Sequence, residues 1–181
     1  MNALEDIKQA AIGWLDLIAS RPGGAERFNR SGRGLANAVI FYFLMVLFTI
    51  IVQGVSVSFP TYERIFVGLL VNALPLAGVA LVVLATVRLL RVQVPVTALM
   101  VPAVYALAFL LLIGLPLSLF FGNLFANALM GILGYMLYRA ARDIAKLGIG
   151  TSIAFAVLAI AVLVALPIGI YMVTMLAIPA S

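Results

Sequence analysis

A chain of 181 residues that is 66% hydrophobic and 9% charged, with mean hydropathy +1.26, has more apolar surface than a soluble core of this length can bury. The solvent that accepts the excess is lipid, so the composition points to an integral membrane protein. The absence of cysteine and histidine excludes thiolate chemistry, disulfides, zinc sites and imidazole catalysis; the net charge of +5 fits anionic lipid headgroups, and no nucleic-acid partner is expected.

Residues 2–19, NALEDIKQAAIGWLDLIA, predict an amphipathic helix. Leu4, Ile7, Ala11, Trp14, Leu15 and Ile18 recur at helical spacing on one face, with Asp6, Gln9, Gly13 and Asp16 opposite. Asn2 with Glu5 three residues on reads as a capping pair, and Arg21-Pro22-Gly23-Gly24 stops the helix. Two placements remain open: in the membrane interface, apolar face down, or packed on the protein's own loops. A secretory signal is not expected, because the first apolar run begins near residue 35 and four acids precede it.

The stretch SRPGGAERFNRSGRG (20–34) has the look of a phosphate cradle. It lacks the Gly-Lys-Ser/Thr ending of a P-loop and the strand before a dinucleotide fingerprint. Its expected role is a basic hinge: Pro22, Gly23 and Gly24 turn the chain into the membrane, while Arg21, Arg27, Arg30 and Arg33 meet lipid phosphates. Residues 1–34 therefore form a cytoplasmic amphipathic helix and basic hinge, and 35–181 a transmembrane domain.

Five apolar runs follow, at 35–59, 65–87, 97–121, 123–142 and 151–178, each long enough to span. The third and fourth are separated only by Gly122-Asn123, a tight hairpin. With the N-terminus inside, Lys8 and the four hinge arginines, then Arg88 and Arg91, then Arg139, Arg142 and Lys146 all fall inside, leaving Arg64 alone outside. The expected fold is all-α: a five-span polytopic helical bundle with an N-terminal interfacial helix, in an inner membrane, its N-terminus cytoplasmic and its C-terminus outside.

Within the spans, Pro75, Pro102, Pro116 and Pro167 read as tolerated kinks. Gln53, Ser56, Asn72, Thr86, Ser118, Asn123 and Asn127 read as polar ties between helices. Asn72 lies three residues before Pro75, and Tyr105 three after Pro102, so these four could line a polar notch. No ionisable residue sits well inside a run, which argues against ion-coupled transport and intramembrane proteolysis. No catalytic residue, cofactor or metal is expected. Gly131, Gly134, Gly148, Gly150 and the alanines at 154, 156, 159 and 161 allow close helix approach, within the chain or to another.

ALMVPAVYALAFLLLIGLP (98–116) and LGIGTSIAFAVLAI (147–160) resemble the third span, and the lead into the last, of the bacterial Yip-domain (Ypt-interacting-protein) family. The order of a cytoplasmic leader, a proline and five closely spaced spans is similar too. The Asp-Leu-x-Gly-Pro signature of the eukaryotic members is absent, so their link to small GTPases does not carry over. The resemblance implies a fold and a role in membrane organisation, without catalytic residues. The expected function is a non-enzymatic scaffold or accessory subunit, partnered by membrane lipids and by other membrane chains or copies of itself. The alternative is a conduit for a neutral or lipid-like solute.

Overall fold

The computed structural model describes residues 2–55, 61–121 and 123–177. Ser56, Gly122, the end of the first apolar run at 59 and the C-terminal residues 178–181 lie outside the described residues, as do the side chains of Ser118, Asn123 and Asn127. The described residues are all-α: α1 (Ala3–Ile18), a 3₁₀ turn (Gly24–Arg27), α2 (Gly32–Val55), α3 (Tyr62–Leu89), α4 (Val96–Phe121), α5 (Asn123–Asp143) and α6 (Ile149–Ala177).

The helix ends follow from local chemistry. At the end of α1, Ser20 adopts φ 58°, Arg21 N–H donates to the Asp16 carbonyl at 2.8 Å and Ser20 N–H to that of Leu17 at 3.1 Å. These two bonds make a Schellman motif, which satisfies carbonyls the helix leaves open. The end of α3 repeats the longer bond, with Arg91 at φ 47° and Val92 N–H donating to the Val87 carbonyl. Ser31 caps α2: its Oγ accepts the Gly34 N–H at 3.1 Å, and its carbonyl accepts the first helical bond from Leu35.

The five long helices alternate in direction. α4 lies at the centre, packed against α2, α3, α5 and α1, while α6 packs on α3 and α5. Ala98, Val101, Ala103, Val104, Tyr105, Ala106 and Ala108 are all buried, and the four alanines among them let neighbouring backbones approach closely. Prolines 75, 102, 116 and 167 sit inside unbroken helices.

Among the described residues, four helices hold segments long and apolar enough to cross a membrane: Gly32–Gly54, Ile65–Leu89, Val96–Gly114 and Ile149–Ile170. Their outward faces are apolar, as Phe66, Leu70 and Leu81 on α3 and Ile153, Val157 and Ile168 on α6 show. That is the surface an integral membrane protein presents to lipid. α5 runs beside α4, and the side chains of its first residues, 123–127, lie outside the described residues.

Candidate functional site

The most unusual chemistry lies where α1 meets the bundle. α1 does not rest on its apolar face. Its buried residues are Asp6, Ala10, Gly13, Trp14, Asp16 and Leu17, whereas Leu4, Leu15 and Ile18 are exposed. At 100° per residue the buried face is rotated by about a third of a turn from the expected one, and only Trp14 belongs to both. The reason is specific pairing. The Trp14 indole N–H donates to the Pro102 carbonyl in α4 at 3.2 Å, and its ring meets Phe28 edge-on at 5.5 Å. Gly13 and Gly24 bring α1 against the 3₁₀ turn so closely that a Cβ on Gly13 would stand 3.0 Å from the Gly24 carbonyl oxygen.

Asp16 and Asp6 are handled differently. Asp16 is an ion-pair centre: Arg27 Nε lies 2.8 Å from one oxygen and Arg21 Nη1 3.8 Å from the other. Asp6, only 3% exposed, has no arginine or lysine at ion-pair distance among the described residues. Its donors are amides: Asn37 Nδ2 from α2 at 2.6 Å on Oδ2, and Asn29 Nδ2 at 3.2 Å on each oxygen. The Ser31 hydroxyl donates to Asn29 Oδ1 at 2.7 Å, which fixes the Asn29 amide with its nitrogen toward Asp6. Tyr105 of α4 is 1% exposed, and its hydroxyl has no hydrogen-bond partner among the described residues.

Sequence reasoning missed this cluster because it looked for acids inside apolar runs. Asp6 precedes every run, and the fold carries it into the bundle. Two signals were present: the Asn29-x-Ser31 pairing just before α2, and Asn37 as a polar position early in the first run.

The expected notch is divided. Asn72 and Pro75 line a cleft of about 290 Å³ with Tyr42, Thr49 and Gln53, and its remaining walls are mainly leucine. Tyr42 Oη donates to the Asn72 carbonyl at 2.7 Å, Asn72 Nδ2 to the Gly68 carbonyl at 2.8 Å, and Thr49 Oγ1 to that of Met45 at 2.8 Å. Pro102 and Tyr105 do not join them. The first holds Trp14 and the second packs on Phe109 and Phe41.

The basic residues gather at the end of the bundle where α1 docks. Arg139 Nη1 donates to Ser20 Oγ at 2.7 Å, which places the end of α5 beside the end of α1. The end of α3 packs on the start of α6, bringing Arg88 and Arg91 to the same end. There the guanidiniums divide. Arg21 and Arg27 pair with Asp16, and Arg139 pairs with Asp143 at 2.8 Å. Arg30 Nη2 donates to the Ala25 carbonyl, and Arg142 is half-buried. Lys8, Arg33, Arg88, Arg91 and Lys146 are exposed, which leaves them free to meet headgroups. The turn at Pro22 is made by Gly23 at φ 85°, a conformation that costs a glycine little.

Comparison with protein families, with curated proteins and with solved structures finds no match for this chain. The site is therefore read from its own chemistry.

Proposed function

We propose that the protein is a non-enzymatic, Yip-like scaffold or accessory subunit of a membrane assembly. In this reading α5 crosses the bilayer as the antiparallel partner of α4, giving five spans. The basic end faces the cytoplasm of a bacterial inner membrane, and the C-terminus lies outside. The observation that carries the reading is a shallow groove between α5 and α6 whose floor includes Gly131, Gly134, Ala156 and Ala161. A Cβ placed on Gly131 would meet nothing within 4 Å. Small residues on an open face let a second helix bring its backbone close, which is how membrane helices associate without a hydrophobic driving force. Gentle detergent extraction should therefore yield a larger or homo-oligomeric assembly, and Gly131→Leu should shift most of it to monomer while leaving the chain folded. A wild-type protein that is a stable monomer by native mass spectrometry contradicts the proposal.

The cleft at Asn72 and Pro75 favours a second reading, a conduit for a neutral or lipid-like solute. Tyr42, Thr49 and Asn72 already donate to backbone carbonyls and most of the lining is apolar, so its wall suits an acyl chain better than an ion. Liposomes containing the protein should then move labelled lipid faster than empty ones, and Asn72→Leu should slow them. Flux equal to that of empty liposomes removes this reading.

A further inference from the structure

The corner where α3 ends and α6 begins carries an inference independent of both readings. A narrow groove of about 220 Å³ runs between the two helices there, walled by Leu89 and Leu90 of α3 and by Ala154, Phe155 and Leu158 of α6. Leu89, Leu90 and Leu158 are exposed, so the groove opens sideways, toward lipid. From Thr151, at its upper edge, to Leu158, α6 rises about 10 Å. The groove thus leads from the charged end of the bundle into the hydrocarbon of one leaflet, which is about 15 Å deep. A helix, about 10–12 Å across, is too wide to enter it, and a single acyl chain is not.

Three cations flank its charged end. Arg88 precedes Leu89, Arg91 follows Leu90, and Lys146 lies in the turn that leads into α6. All three are exposed, and none has an acid at ion-pair distance among the described residues. The sequence explains why: no acid stands between Glu63 and Asp143 or after Asp143, and Arg139 holds the Asp143 carboxylate. Arg21 and Arg27, by contrast, have Asp16.

The backbone adds an independent observation. Among the described residues, three that are not glycine have positive φ, and two of them are Arg91 at 47° and Lys146 at 55°. An L side chain is strained in that region, and glycine is the usual occupant of such helix-ending turns. Both turns beside this groove hold a long cation where glycine would be less strained.

We propose that the groove binds one anionic phospholipid, with its phosphate held by Arg88, Arg91 and Lys146 and one acyl chain laid along Leu89, Leu90 and Leu158. Basic sites between membrane helices suit such headgroups. A zwitterionic lipid offers the same acyl chain but brings a positive charge of its own to three cations that have no acid.

The test titrates phosphatidylglycerol, and separately phosphatidylcholine, into the delipidated full chain in detergent and reads the lipid-bound fraction by native mass spectrometry. The wild type should bind one phosphatidylglycerol per chain, more tightly than phosphatidylcholine. Arg91→Gly and Lys146→Gly relieve the strained turns, so both variants should melt no lower than the wild type, yet each should weaken phosphatidylglycerol about fivefold, the effect of one cation near an anionic headgroup. Ala154→Phe fills the groove, leaves every cation in place, and should abolish the bound lipid. Arg33→Gln removes an exposed cation at the start of α2, away from the groove, and should leave the affinity unchanged. Should Ala154→Phe fail to fold, the two glycine variants measured against Arg33→Gln decide the matter. Equal affinity for the two lipids overturns the proposal. So does a loss in Arg33→Gln as large as that in Arg91→Gly, which would mean a diffuse attraction of the whole basic end.

Discussion

Trp14→Ala is expected to lower the unfolding free energy by about 3–5 kcal/mol, the range for deleting a large aromatic from a packed core. Trp14 is 2% exposed, fills the junction of α1, α4 and Phe28, and closes a hydrogen bond from α1 to the α4 backbone. Truncation opens a cavity whose walls are helix backbone and ring edges, which cannot collapse to fill it. Leu15, the next residue, is 66% exposed. Leu15→Ala should change stability by less than about 0.5 kcal/mol, as surface substitutions do. Thermal melting of the two variants in the same detergent checks the contrast. Comparable losses would mean that α1 rests on the face predicted from its hydrophobic pattern instead of the observed one.

Gly34→Ala should cost about 3 kcal/mol, the upper end of the range for forcing atoms into a filled space. A Cβ on Gly34 would lie 1.9 Å from the carbonyl oxygen of Asn29, and that atom belongs to the backbone. Relief requires the 29–31 segment to move, which would disturb the Ser31 cap of α2 and the Asn29 bonds to Asp6 together. Gly32, two residues earlier, is the control. A Cβ there meets nothing within 4 Å, so Gly32→Ala should be neutral or stabilise by about 0.5–1 kcal/mol through helix propensity. Melting curves that rank the two alanine variants in the opposite order would refute the packing described around Asn29.

These two residues mark where the sequence was legible and where it was not. The five apolar runs coincide with α2 to α6 within a few residues wherever the helix ends are described, because length and hydropathy alone set such helices. The hinge was legible as well, since only a few residue types suit a turn like the one at Pro22-Gly23. The order of packing was not. In a membrane bundle the inward and lipid-facing sides are both apolar, so the pattern does not say which side is which; α4 looked like its neighbours and proved central. In α1 the hydrophobic pattern was clear but did not say what the other side meets: an indole bond, two glycine contacts and a carboxylate held by amides seat that side on the bundle and leave Leu4, Leu15 and Ile18 exposed. Gly24 reads as part of the turn in the sequence; in the fold it and Gly34 are close contacts. The Asp6 cluster joins residues 23 and 31 positions apart, and the local signals at Asn29, Ser31 and Asn37 do not say which acid they hold.

Seating of α1 in the bundle underlies the Asp6 cluster and the gathering of cations at one end. Trp14, the single tryptophan of the chain, reports on it directly. Its fluorescence should be measured in reconstituted membranes with acrylamide from the aqueous side and with dibrominated phospholipid from the bilayer. A double variant, Trp14→Phe with Leu15→Trp, moves the probe to the exposed neighbouring position and supplies the comparison. A seated helix predicts blue-shifted Trp14 emission that both quenchers reach poorly, and a relocated indole that at least one of them quenches strongly. Trp14 quenched as strongly as the relocated indole would contradict the account, because α1 would then lie apart from α4.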